Sequence, residues 1–275
     1  MIKDKYSAVW ISHSSIGDYL KCPRAYYLKN VYRDSKTNHK VTLMQPALAL
    51  GQIVHEVIES LSRLPVDLRF STPLLEKYEL LWSKVSGKKG GFKNPDEEAN
   101  FKKRGAWMLN KVEKKPGPLK NMAIKIHQEL PYYWLSEEDN IILCGKIDWL
   151  EYIPDSNGVR IIDFKTGKYD EDPDSLQLPI YLLLAKNCQK RQVVGVSYWY
   201  LDRDVEPLTA ELPDELKATT QLLEVGKKIA LARKLEHFKC KNSDGCFTCR
   251  PLEKIIRGEA EYVGTNEYKA DVYVI

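Results

Sequence analysis

The sequence predicts an α/β domain with a mixed central sheet flanked by helices and a basic helical insertion. Three observations carry that expectation. Apolar residues recur with helical spacing in the first part of the chain, change to strand-like runs from Ala123, and then read helix and strand in turn. At 275 residues, 43% hydrophobic and 29% charged, the chain can bury an ordinary core. No stretch approaches the roughly eighteen uninterrupted apolar residues of a membrane span. A single domain over residues 1–275 is expected, with an insertion at about 65–120 and a cysteine segment at 236–255.

The first helix is expected over Ser12–Val31, capped by Ser14 or Ser15, with Ile16, Tyr19, Leu20, Tyr26, Tyr27 and Val31 on its apolar stripe. Pro46 opens a second helix, in which Leu50, Val54, Val57, Ile58 and Leu61 form the buried face and His55 rides beside it. The stretch from Pro65 to Pro118 is mostly helical, broken by Gly87, Gly90, Gly91 and Pro95. Three runs follow, AIKIHQELPYYWL, NIILCGKIDWLEYI and VRIIDFKTG, separated by turn material and read as an antiparallel meander. A helix, SLQLPIYLLLAKN, a strand, VVGVSYWYLD, and a helix over Pro213–Leu235 complete the order.

Charge is uneven along the chain. The net charge of +4 is small, but between Lys84 and Lys120 eleven Lys or Arg stand against four acids, about +7 locally. A phosphate-binding surface and a solvated, partly mobile helical insertion are the two readings of that run. The N-terminus has charges of both signs and no apolar h-region, so a cytoplasmic protein is expected.

The chemistry centres on GKIDWL, with Asp148, and on IIDFKTG fifteen positions later, with Asp163 and Lys165. Residues two apart on a strand share a face, so Asp163 and Lys165 project together, and Asp148 can meet them from the neighbouring strand. Charges interrupting an apolar strand cost several kcal/mol unless compensated. Two carboxylates around a divalent cation, with an ammonium aimed at water or phosphate, supply that compensation and the parts of phosphodiester hydrolysis. A structural Asp–Lys ion pair is the plainer alternative.

Four motifs in order resemble the RecB-like branch of the PD-(D/E)XK nucleases: Gly51-Gln-Ile-Val-His55, Gly145-Lys-Ile-Asp148, Asp163-Phe-Lys165 and Gln177-Leu-Pro-Ile-Tyr181. With the N-terminal segment the resemblance spans roughly Ser12 to Tyr200. It implies a restriction-endonuclease-like fold in which His55, Asp148, Asp163 and the Phe164 backbone carbonyl bind Mg²⁺ or Mn²⁺ and Lys165 positions or activates the attacking water. Gln177 and Tyr181, one helical turn apart, would contact the DNA backbone or support the lysine. Glu129 would support the metal site from the preceding strand.

Six cysteines divide by context. Cys144 and Cys188 sit in apolar runs, as small buried thiols do. Cys22 begins CPRAYYL, while Cys240, Cys246 and Cys249 crowd into KCKNSDGCFTCR, and four thiolates suit either a [4Fe–4S] cluster or a structural Zn²⁺. A subset of RecB-like nucleases, the AddB type and CRISPR-associated relatives, has one N-terminal cysteine and three near the C-terminus around an iron–sulfur cluster, and SHSSIGDYLKCPRAYYL resembles their N-terminal motif. The C-terminal part departs from theirs: no cysteine follows Cys249, and the third, Cys240, lies upstream of the CxxC.

The resemblance implies a metal-dependent deoxyribonuclease acting on DNA ends or single strands in recombination, repair or defence, with a helicase or another such protein as partner. A non-catalytic DNA-binding subunit of a helicase–nuclease complex is the rival from a different class. An RNA or small-molecule phosphodiesterase is the rival within the enzymes.

Overall fold

In the computed structural model, which describes residues 4–275, the strand-forming runs make three mixed sheets with helices packed against them. The largest is ordered β5-β6-β7-β8, from β5 (Trp149–Ile153), β6 (Gly158–Lys165), β7 (Val193–Tyr200) and β8 (Leu208–Ala210). β6 pairs antiparallel with β5 and parallel with β7, and six of its eight residues are buried, as a strand covered on both faces must be.

Alternation on β6 divides two cores. Ile162 and Phe164, with Trp149 and Trp199, pack under α3 (Pro46–Leu61), α4 (Leu74–Trp82) and α5 (Pro95–Lys114). Val159 and Ile161 face the opposite way, into a core with α6 (Gln177–Cys188) and α7 (Glu215–Lys234). Asp163 and Lys165 share the parity of Val159 and Ile161, which aims them toward the start of α6. The basic segment is not merely solvated: α4 and α5 bury Leu74, Tyr78, Trp82, Met108, Leu109 and Val112 in the core that holds Phe164. Gly105 makes that contact possible. A Cβ there would run into the Tyr78 hydroxyl and lie 2.7 Å from Leu50 Cδ1. Gly105→Ala, although it favours helix by about 1 kcal/mol, is therefore expected to lower stability by about 1–3 kcal/mol through overpacking, read from the midpoint of urea unfolding.

The predicted helix over Ser12–Val31 is broken. It divides into α1 (His13–Lys21), α2 (Pro23–Tyr26) and a π turn at Tyr27–Val31. Pro23 has no N–H to donate and forces the preceding residue into extended backbone, so Cys22 leaves the helix at φ −166° and ψ 114°. The cap is Ser12, whose side chain accepts from the Ser15 amide while the Ser15 hydroxyl accepts in return.

The expected meander also differs. Its middle run splits into β4 (Ile141–Cys144) and β5, and β4 belongs to another sheet, ordered β1-β4-β3 with β1 (Val9–Ile11) and β3 (Tyr132–Ser136). The chain changes sheets at Gly145, where an added Cβ would lie 3.0 Å from Leu184 Cδ1 of α6. The first run is a strand only from Tyr132. Its earlier part is held along the edge of β5 by Ile124 N–H to Leu150 O and Tyr152 N–H to Met122 O, both 2.8 Å, then turns irregular before Pro131, which has no N–H for a ladder.

The C-terminal tail supplies β9 (Glu261–Thr265) and β10 (Ala270–Val274), with β10 between β9 and β2 (Lys40–Leu43). Asp271, 1% exposed, fixes this sheet by accepting from Thr37 Oγ1 at 2.6 Å and Thr265 Oγ1 at 3.2 Å and pairing with His39 Nδ1 at 2.9 Å. A short helix, α8 (Arg250–Ile256), packs beside β2. Among the described residues no helix is long and apolar enough to cross a membrane.

Candidate active site and cysteine cluster

Three elements converge where β6 ends. Asp163 and Lys165 come from β6, Asp148 stands immediately before β5, and Gln177 is the first residue of α6. The Phe164 amide donates to Asp148 Oδ2 at 3.0 Å, which fixes the two acidic segments against each other. His55, from the middle of α3, brings Nδ1 to 3.4 Å from the same oxygen. One turn further along α3, Glu59 joins them, and ligand atoms of His55, Glu59 and Asp148 all lie within 4.8 Å of one another.

Asp163 is 1% exposed, and its two oxygens differ. Oδ1 accepts from Gln177 Nε2 at 2.7 Å. Oδ2 has the Lys165 Nζ at 3.1 Å as its ion-pair partner and no well-aligned hydrogen bond.

Burial, and then the Asp148 charge, push the Asp163 carboxyl up to about 7. Burial depresses the His55 imidazolium, but the carboxylates of Asp148, Asp163 and Glu59 outweigh it and raise it to about 9. Asp148 is held below the usual carboxylate range because His55 and the Phe164 amide outweigh its own burial. The His55 shift, and the part of the Asp163 shift that Asp148 adds to burial, are those of carboxylates crowded around one imidazole. A divalent cation offsets the same charge, and imidazole with two or three carboxylates is a donor set that Mg²⁺ or Mn²⁺ accepts.

Lys165 is gripped from four sides. Its Nζ lies 2.5 Å from Glu171 Oε2 and 3.1 Å from Asp163 Oδ2, donates to Gln177 Oε1, and stands 5.2 Å from the Tyr198 ring centroid. Burial disfavours its charge, yet Asp163 and Glu171 outweigh that and raise its pKa, so the side chain is an ammonium at neutral pH. Gln177 joins the parts: Nε2 donates to Asp163 and, at 3.2 Å, to the Tyr181 hydroxyl, while Oε1 accepts from Lys165. Tyr181 is 7% exposed.

His55, Asp148, Phe164, Asp163, Lys165, Gln177 and Tyr181 are thus brought together. Glu129 is not among them. It is exposed and outside any strand, on the irregular segment before Pro131. It lines a cleft of about 250 Å³ with Glu59, Lys146 and Asp148 beside the site. Sequence reasoning missed Glu59, Lys146, which donates to Glu59, and Glu171. The i, i+4 spacing of Glu59 from His55 was the available signal. Glu171 lies in an acidic loop with no such periodicity.

The second cluster joins the start of α2 to the segment between α7 and α8. The sulfurs of Cys22, Cys240, Cys246 and Cys249 lie within 4.8 Å of one another, and none of the six cysteines is in a disulfide. Pro23 sets the extended backbone of Cys22, and Pro251 in the first turn of α8 follows Cys249 at its cap. The Cys246 amide donates to Cys249 Sγ at 3.2 Å, and the two sulfurs are 3.8 Å apart. Burial pushes the Cys22 thiol up to about 12, whereas the Cys249 amide draws Cys246 down to about 6. Arg24 Nε, 2.6 Å from Glu253 Oε1, ties α2 to α8 around the sulfurs. Cys240 therefore joins the other three despite its upstream position. Four clustered thiols outside disulfides are a donor set that fits zinc or an iron–sulfur cluster.

The family model of the PD-(D/E)XK nuclease superfamily matches residues 10–251. A solved structure described as "Putative exonuclease", from Eubacterium rectale, is 15% identical with a TM-score of 0.50, covering 88% of this chain and 87% of that one. At that identity the likeness speaks for the fold. No curated protein matches the chain.

Proposed function

Because this chain belongs to the PD-(D/E)XK nuclease superfamily, we propose that it is a metal-dependent deoxyribonuclease that hydrolyses phosphodiester bonds at DNA ends or in single strands. The observation that carries this reading is the carboxylate excess of Asp148, Glu59 and Asp163 beside the Lys165 ammonium. Mg²⁺ or Mn²⁺ bound by His55, Glu59, Asp148 and Asp163, with the Phe164 carbonyl, would lower the pKa of a water and offset phosphate charge. Asp163 and Glu171 hold Lys165 as an ammonium in the metal-free site, and with the metal bound it would position or activate the attacking water. Gln177 holds Lys165 and Asp163 in register, and Tyr181 fixes Gln177.

The test is cleavage of end-labelled single-stranded DNA by anaerobically purified protein with Mg²⁺, with Mn²⁺ and with EDTA, beside duplex DNA and RNA. Products that need the metal and come from DNA support the reading, and the end that shortens gives polarity. Tight binding without cleavage would favour a non-catalytic DNA-binding subunit of a helicase–nuclease complex. Gln177→Ala is expected to lower cleavage about 10–100-fold with binding in EDTA unchanged, as loss of a group orienting the reacting residues does, measured under single-turnover conditions.

For the four thiols, the resemblance of the N-terminal motif favours a [4Fe–4S] cluster. Structural zinc is the second reading, favoured by the 3.8 Å between Cys246 and Cys249 Sγ, the edge of a tetrahedron with bonds of about 2.3 Å. A cytoplasmic role in recombination, repair or defence, beside a helicase or another such protein, goes with this function.

A further inference from the structure

The basic segment has a face that the site described above does not use. Four of its cations are committed elsewhere: Lys84 to Glu56, Lys88 to Glu261, Lys102 to Glu79 and Arg104 to Asp202, at 2.6, 2.8, 2.6 and 2.9 Å. Lys103, Lys111 and Lys114 have no ion-pair partner among the described residues. All three lie on α5, and at about 100° per residue they fall with Asn100, Trp107 and Asn110 within roughly a third of the helix circumference. No acid shares that face between Asn100 and Lys114, because Glu113 projects from another side. Trp107 stands 57% exposed in its centre.

We propose that this face of α5 is a binding track for single-stranded nucleic acid, with Trp107 as a stacking platform and Lys103, Lys111 and Lys114 on phosphates. The inference rests on the nuclease reading and extends it to how the substrate strand is held. An indole flanked by ammonium groups and amides matches what an unpaired strand presents, π faces and a line of negative charge, and the one acid in line with them on α5, Asp96, lies at the helix start beyond Asn100. A duplex hides its base faces, so the indole selects single strands. Along the helix, Lys103 to Lys114 covers about 16 Å, enough for several phosphates.

The same helix is fastened to the catalytic strand. Arg104, next to Lys103, donates to the Thr166 carbonyl at 2.6 Å, one residue beyond Lys165. Thr166 is also the neighbour that an added Cβ at Gly51 would meet, at 3.2 Å, so α3, α5 and the end of β6 meet at one point. A strand on the α5 face is thereby kept in fixed relation to Asp163 and Lys165.

Binding of fluorescein-labelled oligothymidylate, and of a duplex of equal length, is measured by anisotropy in EDTA, where cleavage is not required. Trp107→Ala is expected to weaken single-strand binding at least about fivefold and duplex binding much less, with Trp107→Phe retaining most of the affinity. The triple variant Lys103→Ala, Lys111→Ala, Lys114→Ala is expected to reduce the salt slope by about 2, from about 0.7 per phosphate neutralised. Thermal unfolding close to wild type in each variant would exclude misfolding. Unchanged affinity and slope, equal losses on duplex and single strand, or a wild-type oligomer that dissociates in Trp107→Ala would each overturn the track. If wild-type protein fails to cleave DNA while the variants lose binding, the nuclease reading falls and the track stands. If wild type cleaves and the variants bind normally, the reverse holds.

Discussion

Asp163→Ala is expected to abolish metal-dependent cleavage, by about a thousandfold or more, while affinity for single-stranded DNA in EDTA stays close to wild type. The effect is large because Asp163 acts at several points at once. It supplies a buried oxygen whose one close partner is the Lys165 ammonium, and its other oxygen anchors Gln177. Losses of groups that act as a unit do not add, so Asp163→Ala combined with Lys165→Ala should cleave little worse than either alone. Asp163→Asn separates chemistry from folding. It preserves shape and an acceptor for Gln177 but removes a carboxylate that burial and Asp148 already disfavour, so stability should hold while cleavage is lost. Cleavage by either variant at more than a few per cent of wild type would refute the role assigned to Asp163.

Cys246→Ser is expected to act on stability. The four sulfurs join α2 near the start of the described chain to the segment after α7, so the metal they bind would staple distant segments. Loss of such a staple should cost about 2–5 kcal/mol, seen as a lower denaturation midpoint and reproduced in wild type by a strong chelator. The local core of Ala25, Leu28, Val41, Leu252 and Ile255 should loosen first, because it is small and built around Cys22 and Cys249. Visible absorbance with iron and sulfide in wild-type protein, lost in the variant, would establish an iron–sulfur cluster; colourless protein containing zinc would establish the second reading. Wild-type protein that holds neither iron nor zinc as isolated, and whose unfolding midpoint neither chelation nor Cys246→Ser changes, would dismiss both. Since the cysteines lie outside the His55, Glu59 and Asp148 group, cleavage per folded molecule at low temperature should survive in Cys246→Ser.

Much of the site was legible because its spacing is local. Asp163 and Lys165 share a strand face by the two-residue period, and Gln177 and Tyr181 share a helix face by the four-residue one. His55 could be assigned to a helix from the apolar pattern around it. Glu59, Lys146 and Glu171 escaped because a charge on a helix flank or in an acidic loop reads as solvated until its partner is known, and those partners come from other segments. Strands β1, β2 and β10 escaped for a related reason. They are short, and Val9 pairs with Ile141 and Ala270 with Lys40, so their hydrogen-bonding partners are far along the chain.

By itself, the sequence determined the mixed α/β class, the strand that carries Asp163 and Lys165, the helix that carries His55, and the four cysteines suited to a metal. Those follow from periodicity and residue chemistry, which act over a few positions. Tertiary structure alone decided that Glu59 would join His55 and Asp148, that Glu171 would reach Lys165, that the predicted meander would divide between two sheets at Gly145, and that Trp107 would remain outside the core its helix helps to bury. Each depends on which distant segments pack together, and that choice is made by the burial of whole faces rather than by the preference of any one residue.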